Sequence, residues 1–491
     1  MPLLESRPGS GARPFCERPD MSAEDIVAPL VAFLAGVPRR YRLPPLPTLS
    51  ATEGDRTSES LSTILAVCVE RARVALLRGE DPNGELKDRF VEALAGLIHD
   101  AMNEPGGDPA VQALVLRHRS PVVSEFAALI PQASQQRRHI DTLVNAIAHP
   151  AKVDRLSDAP LRAHLLRLHQ LAGESDWEGT AAMSRRVLSD FAAEMDESRR
   201  GSLQRLVEHQ ALRHLTRITE LEADPDVQRY LALKEQNGPR SNSSLAQEQG
   251  AASRQRGAEV EAASAQALHA VAERLNRLEG SSRHYRVVTS MRVPAAFPAD
   301  PEGAKSEWDT VLVRHAHGNL WDVCLLVEAK ASIDAVGTDL PRLRRGLKVL
   351  AHADPGDAYE FRTREGVLRL RGASLVALGT EEASAEKSLL RRTVLYCCDV
   401  EQDPGPRLLS AAARMQLLST PASVAYAMAM SEARLGGDEP TPDPAMLHTV
   451  WNDLLHEPRW QQVLNQYPTL RLARELAVHV GDLADTARAA Y

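Results

Sequence analysis

The feature that most restricts what this chain can fold into is a change of periodicity about halfway along it. Between residues 57 and 236 apolar residues recur three and four apart. Leu61, Ile64, Leu65, Cys68, Ala72 and Ala75 mark one such face, and Leu86, Phe90, Leu94, Leu97, Ile98 and Met102 another. That spacing lines one side of a helix, and strand-like alternation is nearly absent. Further helices are predicted over 122–148, 160–172, 178–194 and 200–222, with breaks at PGGDP (105–109) and AHPAKVD (148–154). After residue 252 the pattern changes. One more amphipathic helix, over 252–278, carries Val260, Ala267, Leu268, Val271 and Leu275 on a face. Three runs of strand character follow: HYRVVTSMRVP (284–294), EWDTVLVRH (307–315) and LWDVCLLVEAKAS (320–332). The short HAHGN connection predicts that the last two form a hairpin. A helix over 339–352, a hairpin turning at Glu365 and Gly366, strands over 373–378 and 393–400, and a return to helix complete the expectation.

The predicted organisation is therefore a multidomain α plus α/β protein. Residues 1–45, rich in Pro, Gly and Arg, are expected to be disordered or extended. An all-α domain follows over 46–236, then a linker over 237–251, where NGPRSNSSLAQEQG is almost without apolar residues. The α/β domain occupies 252–404, and 405–491 is expected to be a helical C-terminal segment. Met21 precedes SAEDIVAPLVAFL, which reads as a helix start, so Met21 stands beside Met1 as a candidate initiator.

Composition excludes several classes. The chain has 491 residues, 43% hydrophobic and 25% charged, with a net charge of −8. No global basic field advertises a coat-like binder of nucleic acid, although basic groups confined to one groove remain compatible with that balance. The apolar runs are too short to span a bilayer and no secretory signal is recognisable, so a cytoplasmic location without membrane partners is the default. Five cysteines without a C-x-x-C pair suggest neither a zinc ribbon nor a disulfide framework. Cys397 and Cys398 are expected on opposite faces of a strand. The scarcity of strands before residue 236 argues against a (β/α)₈ barrel. Walker A, G-x-G-x-x-G, G-x-S-x-G and HExxH patterns do not occur in a fitting context.

What remains is a strand that carries charge where it should be apolar. In LWDVCLLVEAKAS, Glu328 and Lys330 lie two apart and share a face with Leu326. Burying an unpaired carboxylate or ammonium costs several kcal/mol, so the pair needs compensation. A mutually neutralising pair at a wet strand end is the simplest reason. The neighbouring strand offers another, because Asp309 in EWDTVLV shares a face with Val311 and Val313. If the hairpin pairs as expected, Asp309 and Glu328 converge. Two carboxylates with carbonyl and water oxygens suit Mg²⁺ or Mn²⁺, and a lysine on the same face is placed to act on water or on a phosphate.

Asp309, Glu328 and Lys330, in the order helix, strand, Asp-bearing strand, E-A-K strand, helix, strand, resemble the PD-(D/E)XK nuclease superfamily. That resemblance covers about residues 252–400 and implies a restriction-endonuclease-like α/β core with a mixed sheet. It implies Asp309 and Glu328 as metal-binding acids, Lys330 as the catalytic lysine, and an acid on the first core helix, Glu261 with Glu259 as second choice. Asp309 is preceded by Glu307 and Trp308, not by the family's proline. The activity implied is Mg²⁺- or Mn²⁺-dependent hydrolysis of nucleic acid, DNA ahead of RNA, in defence or repair, with the helical half serving a protein partner or a targeting role. A non-catalytic binding module on a degenerate nuclease fold is the alternative. Arg342, Arg344, Arg345 and Lys348 on the following helix, with Arg362, Arg364, Arg369 and Arg371 on the hairpin, are candidates for following a phosphate backbone, or for a solvated face. Asp322 is a rival ligand to Asp309, and His315 with His317 a minor transition-metal candidate in a turn.

Overall fold

The computed structural model describes residues 23–47, 60–103, 106–238, 244–280, 284–295, 297–298, 303–379, 383–401, 406–436 and 442–489. Two compact units emerge, and neither is a continuous stretch of chain. The first comprises residues 1–46, 249–406 and 467–491, and the second residues 47–248 and 407–466.

The second unit is helical, as the periodicity predicts. Its helices begin at side-chain caps that the sequence supplies at regular intervals. Asn83 accepts from Leu86 N at 3.0 Å, Asp108 from Ala110 N at 3.0 Å, Asp158 from Leu161 N at 2.9 Å and Asp176 from Gly179 N at 2.8 Å. Each satisfies an amide that the first turn would leave unpaired. The predicted break at PGGDP is the capped start of the helix Pro109–Arg119, with proline in the first turn, where its missing N–H costs nothing. The apolar stripes meet in clusters built on Ile140, Val144, Leu165, Leu168, Leu206 and Leu212, and on Val123, Phe126, Ile218 and Val227.

The first unit is built on a seven-stranded mixed sheet. Its strands are β1 (Tyr285–Arg292), β2 (Glu307–His315), β3 (Leu320–Ala329), β4 (Ala358–Thr363), β5 (Gly366–Arg371), β6 (Val394–Cys398) and β7 (Ala477–His479). β1, β2 and β3 form an antiparallel meander, and β6 and then β7 add in parallel beyond β3. The β4–β5 hairpin bridges β1 to the start of β3, so that five strands, β2, β1, β4, β5 and β3, close on themselves. Period-two alternation then sorts side chains into two layers. Val311, Val313, Leu326, Tyr396 and Cys398 pack with the crossover helix Ile333–Leu350. Leu312, Leu325, Val327 and Cys397 pack on the opposite side with the helices Ser244–Leu278 and Ala23–Gly36. Cys397 and Cys398 thus face opposite layers, as their adjacency predicts.

Four expectations are corrected. The segment 1–45 carries the helix Ala23–Gly36, because Leu30, Phe33 and Leu34 have a sheet face to cover. Residues 244–251 of the expected linker belong to the helix Ser244–Leu278; residues 239–243 lie outside the described residues. The expected strand 373–378 is the helix Gly372–Val376, whose short apolar run does not distinguish the two states. The C-terminal segment is not wholly helical, since β7 pairs with β6 through Tyr396 and Ala477.

Two glycines of the crossover helix show how closely it lies on its neighbours. A Cβ at Gly346 would meet Lys305 Cβ at 2.9 Å and Lys305 O at 3.0 Å, whereas at Gly337 the nearest atom is Leu470 Cδ1 at 3.8 Å. Gly346→Ala is expected to cost about 1–3 kcal/mol by overpacking, and Gly337→Ala to gain about 0.5–1 kcal/mol of helix propensity. Denaturant melts of the two variants check the pair; similar shifts in both would mean that the crossover helix does not press on the segment at Lys305.

Candidate active site

The strand register brings the acidic residues together. The β2–β3 ladder pairs Thr310 with Val327. One residue further Asp309 falls opposite Glu328, on the face shared with Val311 and Leu326. Asp309 Oδ2 accepts from Ala329 N at 3.0 Å, which ties the ends of the two strands. On the other side of β3, β6 sets Tyr396 beside Glu328, and Lys330 N donates to Cys397 O at 2.9 Å. Asp309, Glu328 and Lys330 therefore meet at the carboxyl end of a parallel strand pair.

Glu328 is fully buried, with 0% of its side chain exposed. Lys330 Nζ lies 3.4 Å from Glu328 Oε2 and 3.5 Å from Asp339 Oδ1 of the crossover helix. Tyr396 donates its hydroxyl to Asp339 Oδ2 at 3.0 Å, fixing that carboxylate. A second lysine, unsuspected from the sequence, completes the cluster. Lys305 Nζ forms a close ion pair with Glu328 Oε2 and lies 3.9 Å from Asp309 Oδ1, with only 7% of its side chain exposed. It sits 6.0 Å above the Trp308 ring and against Gly346. The sequence signal was slight, because Lys305 lies in the turn before β2 and four residues from Asp309, a spacing without meaning outside a helix.

Two lysines do not fully compensate the carboxylates. Glu328 Oε1 is buried with no hydrogen-bond partner among the described residues. Burial, and secondly the charge of Asp309, push the Glu328 carboxyl up to about 8, against the pull of Lys305 and Lys330. Burial alone would lower the Lys330 ammonium, but Glu328, Asp339 and Asp309 outweigh it and hold Lys330 above the usual lysine range. Burial thus favours the neutral form of Glu328, while the surrounding carboxylates favour the charged form of Lys330.

Glu261 lies on the helix Ser244–Leu278, whose Arg256 reaches Ala331 O at 3.4 Å, just past β3. Partial burial and the charge of Asp309 raise its carboxyl, with Arg364 and Lys330 pulling it back. It is within electrostatic reach, yet makes no hydrogen bond or ion pair with Asp309 or Glu328 among the described residues. Its neighbour Glu259 is engaged instead by Gln255 at 3.1 Å.

The other candidates separate. Asp322 is held by Arg371 through a two-pronged contact of 2.7 and 2.5 Å, which removes both from ligand or phosphate roles. Arg344 is committed to Glu386 and Arg345 donates to Gly303 O at 2.8 Å, leaving Arg342 and Lys348 as the open cations of that helix. Of the hairpin cations Arg364 pulls on the Glu261 carboxyl, and Arg369 lies beside Glu360 at 3.8 Å. His315 stacks edge-on against Trp321 and contacts Gly318 O at 2.9 Å, while His317 is exposed in the turn.

Among the described residues no three His, Cys, Asp or Glu side chains are gathered closely enough to hold a metal ion. The donor chemistry nevertheless fits one hard cation. Asp309 and Glu328 provide two carboxyl groups, and once Glu328 is ionised its buried Oε1 is an acceptor with no donor among the described residues, the kind of deficit a divalent ion relieves.

Removing Lys305 tests the charge balance. The raised Glu328 carboxyl stabilises the fold in its neutral form, so that contribution is present below pH 4.5 and is lost as pH rises through about 8. Lys305 supports the charged form. Metal-free Lys305→Met is therefore expected to lose on the order of 3 kcal/mol at pH 9 and clearly less at pH 6, by urea melts at each pH. Equal losses would remove Lys305 as the counter-ion of Glu328.

No family model matches the chain, and no curated protein or solved structure matches it either.

Proposed function

We propose that the α/β unit is a metal-dependent nuclease of restriction-endonuclease-like fold, acting on phosphodiester bonds of DNA ahead of RNA. The observation that carries this reading is the buried Glu328 set opposite Asp309, with Lys330 two residues on. The element succession supports it as well. The helix Ser244–Leu278, the meander β1–β2–β3, the crossover helix Ile333–Leu350 and the parallel strand β6 follow in the order that the PD-(D/E)XK resemblance implies. The closing hairpin β4–β5 is an addition between the crossover helix and β6.

Asp309 and Glu328 would hold one Mg²⁺ or Mn²⁺, with Glu261 the nearest further acid. Such an ion supplies charge neutralisation at the phosphoryl oxygens and lowers the pKa of water. Lys330 keeps its proton, so its role is that of a fixed positive donor and not of a general base. Glu328 and Asp339 aim its ammonium, which stabilises the negative charge that grows on the non-bridging oxygens. Water would attack phosphorus in line with the leaving oxygen; one P–O bond forms and the opposite one breaks, the attacking water gives a proton to solvent and the leaving oxygen takes one from it. Arg342 and Lys348 are the cations available to the flanking backbone. The helical unit would then serve a protein partner or targeting.

One observation favours the alternative of a non-catalytic binding module. Lys305 bridges the two carboxylates and supplies a positive charge without any metal.

The test is cleavage of plasmid, linear duplex, single-stranded DNA and RNA with Mg²⁺, with Mn²⁺ and with EDTA, for wild type, Glu328→Ala and Lys330→Ala. Metal-dependent cutting should fall at least about 100-fold in either variant. A parallel melting series decides whether an ion binds. Because the ion competes with the proton on Glu328, thermal stabilisation by Mg²⁺ should be small at pH 6 and grow by pH 8.5. No cutting together with no metal-dependent shift at either pH would transfer the site to the binding-module reading.

A further inference from the structure

The α/β unit contains a second site, built from arginine. A cavity of about 740 Å³ lies among three segments that share no residue with the Asp309–Glu328 site. The first is the end of the helix Ala23–Gly36 and the stretch RRYRLPP after it, which bring Arg39 and Arg42. The second is the last turn of the helix Ala383–Thr393, which brings Arg391 and Arg392. The third is the helix Gln466–Leu476, where Tyr467, Arg471 and Glu475 stand four apart on one face. Five guanidinium groups against a single carboxylate line this cavity, in a chain whose net charge is −8.

Among the described residues only two of these arginines are paired with the carboxylate. Glu475 accepts from Arg391 Nε at 3.1 Å and Arg471 Nε at 3.0 Å, so one carboxylate orients two guanidinium groups. Arg42 and Arg392 make no ion pair among the described residues. Arg39 donates through Nη2 to Leu34 O at 3.4 Å, while its Nη1 is buried without a partner. A buried donor left unpaired is costly and is expected to have an acceptor when the site is filled. Burial and the adjacent Arg42 also pull the Arg39 guanidinium below its usual range, as expected where cations are crowded without an anion. The remaining wall, with Leu34, Leu43, Pro44 and Pro45, is apolar.

From this lining we infer that the cavity binds a phosphorylated small molecule with a flat apolar body, of the nucleoside polyphosphate class. Guanidinium groups pair with phosphate oxygens in a two-pronged geometry, which an ammonium cannot reproduce. The volume suits a ligand of that size, since small-molecule cavities run about 300–1,000 Å³. The prolines and Leu43 supply a rigid apolar wall for the base, and Tyr467 contributes the ring.

The same phosphate chemistry could come from the end of a nucleic-acid strand, so the experiment separates the two sources. Full-length protein in EDTA, which removes metal-mediated binding at Asp309 and Glu328, is titrated with ATP, GTP, ADP, inorganic phosphate and a 5′-phosphorylated six-nucleotide DNA, by calorimetry and by melting shift. At least one of the three nucleotides should bind more tightly than phosphate and than the oligonucleotide. Arg39→Gln and Arg392→Gln should each weaken it at least 10-fold, whereas Arg40→Gln, next in sequence but paired with Asp482, should leave it unchanged. Arg392 is exposed, so its variant tests the site even if Arg39→Gln unfolds. Binding of none of the three nucleotides, binding insensitive to Arg392→Gln, or preference for the oligonucleotide would overturn the inference.

Discussion

A carboxylate without access to water governs the α/β unit. Glu328 lies in the middle of the sheet's carboxyl edge with its side chain wholly enclosed, and a lone ion there would cost several kcal/mol. Much of its surroundings is arranged around that charge. Lys305 is held against Trp308 by a turn that only a glycine at position 346 lets approach so closely. Lys330 is pinned between Glu328 and Asp339, and Asp339 is in turn fixed by the Tyr396 hydroxyl. The compensation is incomplete, as the unpartnered Oε1 and the raised carboxyl both record. Local polar deficits of this kind are found where a fold keeps a group for chemistry or binding and not for stability.

The sheet explains why the deficit sits where it does. β3 has β2 along one side for its whole paired length, but two partners along the other. β5 takes its first residues, at Leu320 and Trp321, and β6 its last, from Leu326 to Ala329. The closing hairpin seals the start of β3 while the end remains open beyond the β3–β6 pair. In open α/β sheets the carboxyl ends of parallel strands are where backbone and side-chain groups emerge toward a ligand. Glu328 is the last enclosed residue of that strand and Lys330 follows it out, so one two-residue step spans the change from core to cleft.

Much of this was legible in the sequence because a strand has a period of two. The alternation of Val311 and Val313 with Leu312, and of Leu326 with Leu325 and Val327, fixed both faces and hence the side on which Asp309 and Glu328 lie. The hairpin at HAHGN then brought them to one point. What was not legible depends on distant parts of the chain. Lys305 has no periodic context and is placed by Trp308 and Gly346. Asp339 was hidden in a helix whose apolar stripe says nothing about which polar residue faces a strand end. β7 is three residues long and acquires its strand conformation only by pairing with β6. The helix start at SAEDIVAPLVAFL was legible, but not that Ala23–Gly36 packs on the sheet. The arginine cavity draws on three segments separated by hundreds of residues, which no local pattern can join.

The two lysines are not equivalent, and the difference bears on how the site would work. Lys330 directly follows the strand, continues its hydrogen bonding to Cys397 O and is tethered by two carboxylates. Lys305 is carried by a turn and enters the site by its side chain alone, touching the same Glu328 oxygen as Lys330. An ammonium between Asp309 and Glu328 and a divalent cation shared by them would therefore compete, since both draw on the same two carboxyl groups and the two positive charges repel at that range. Metal binding at this site would then have two opponents, the proton on Glu328 and the ammonium of Lys305. Loss of that proton strengthens the attraction of the carboxyl pair for either cation, and most for the one of higher charge.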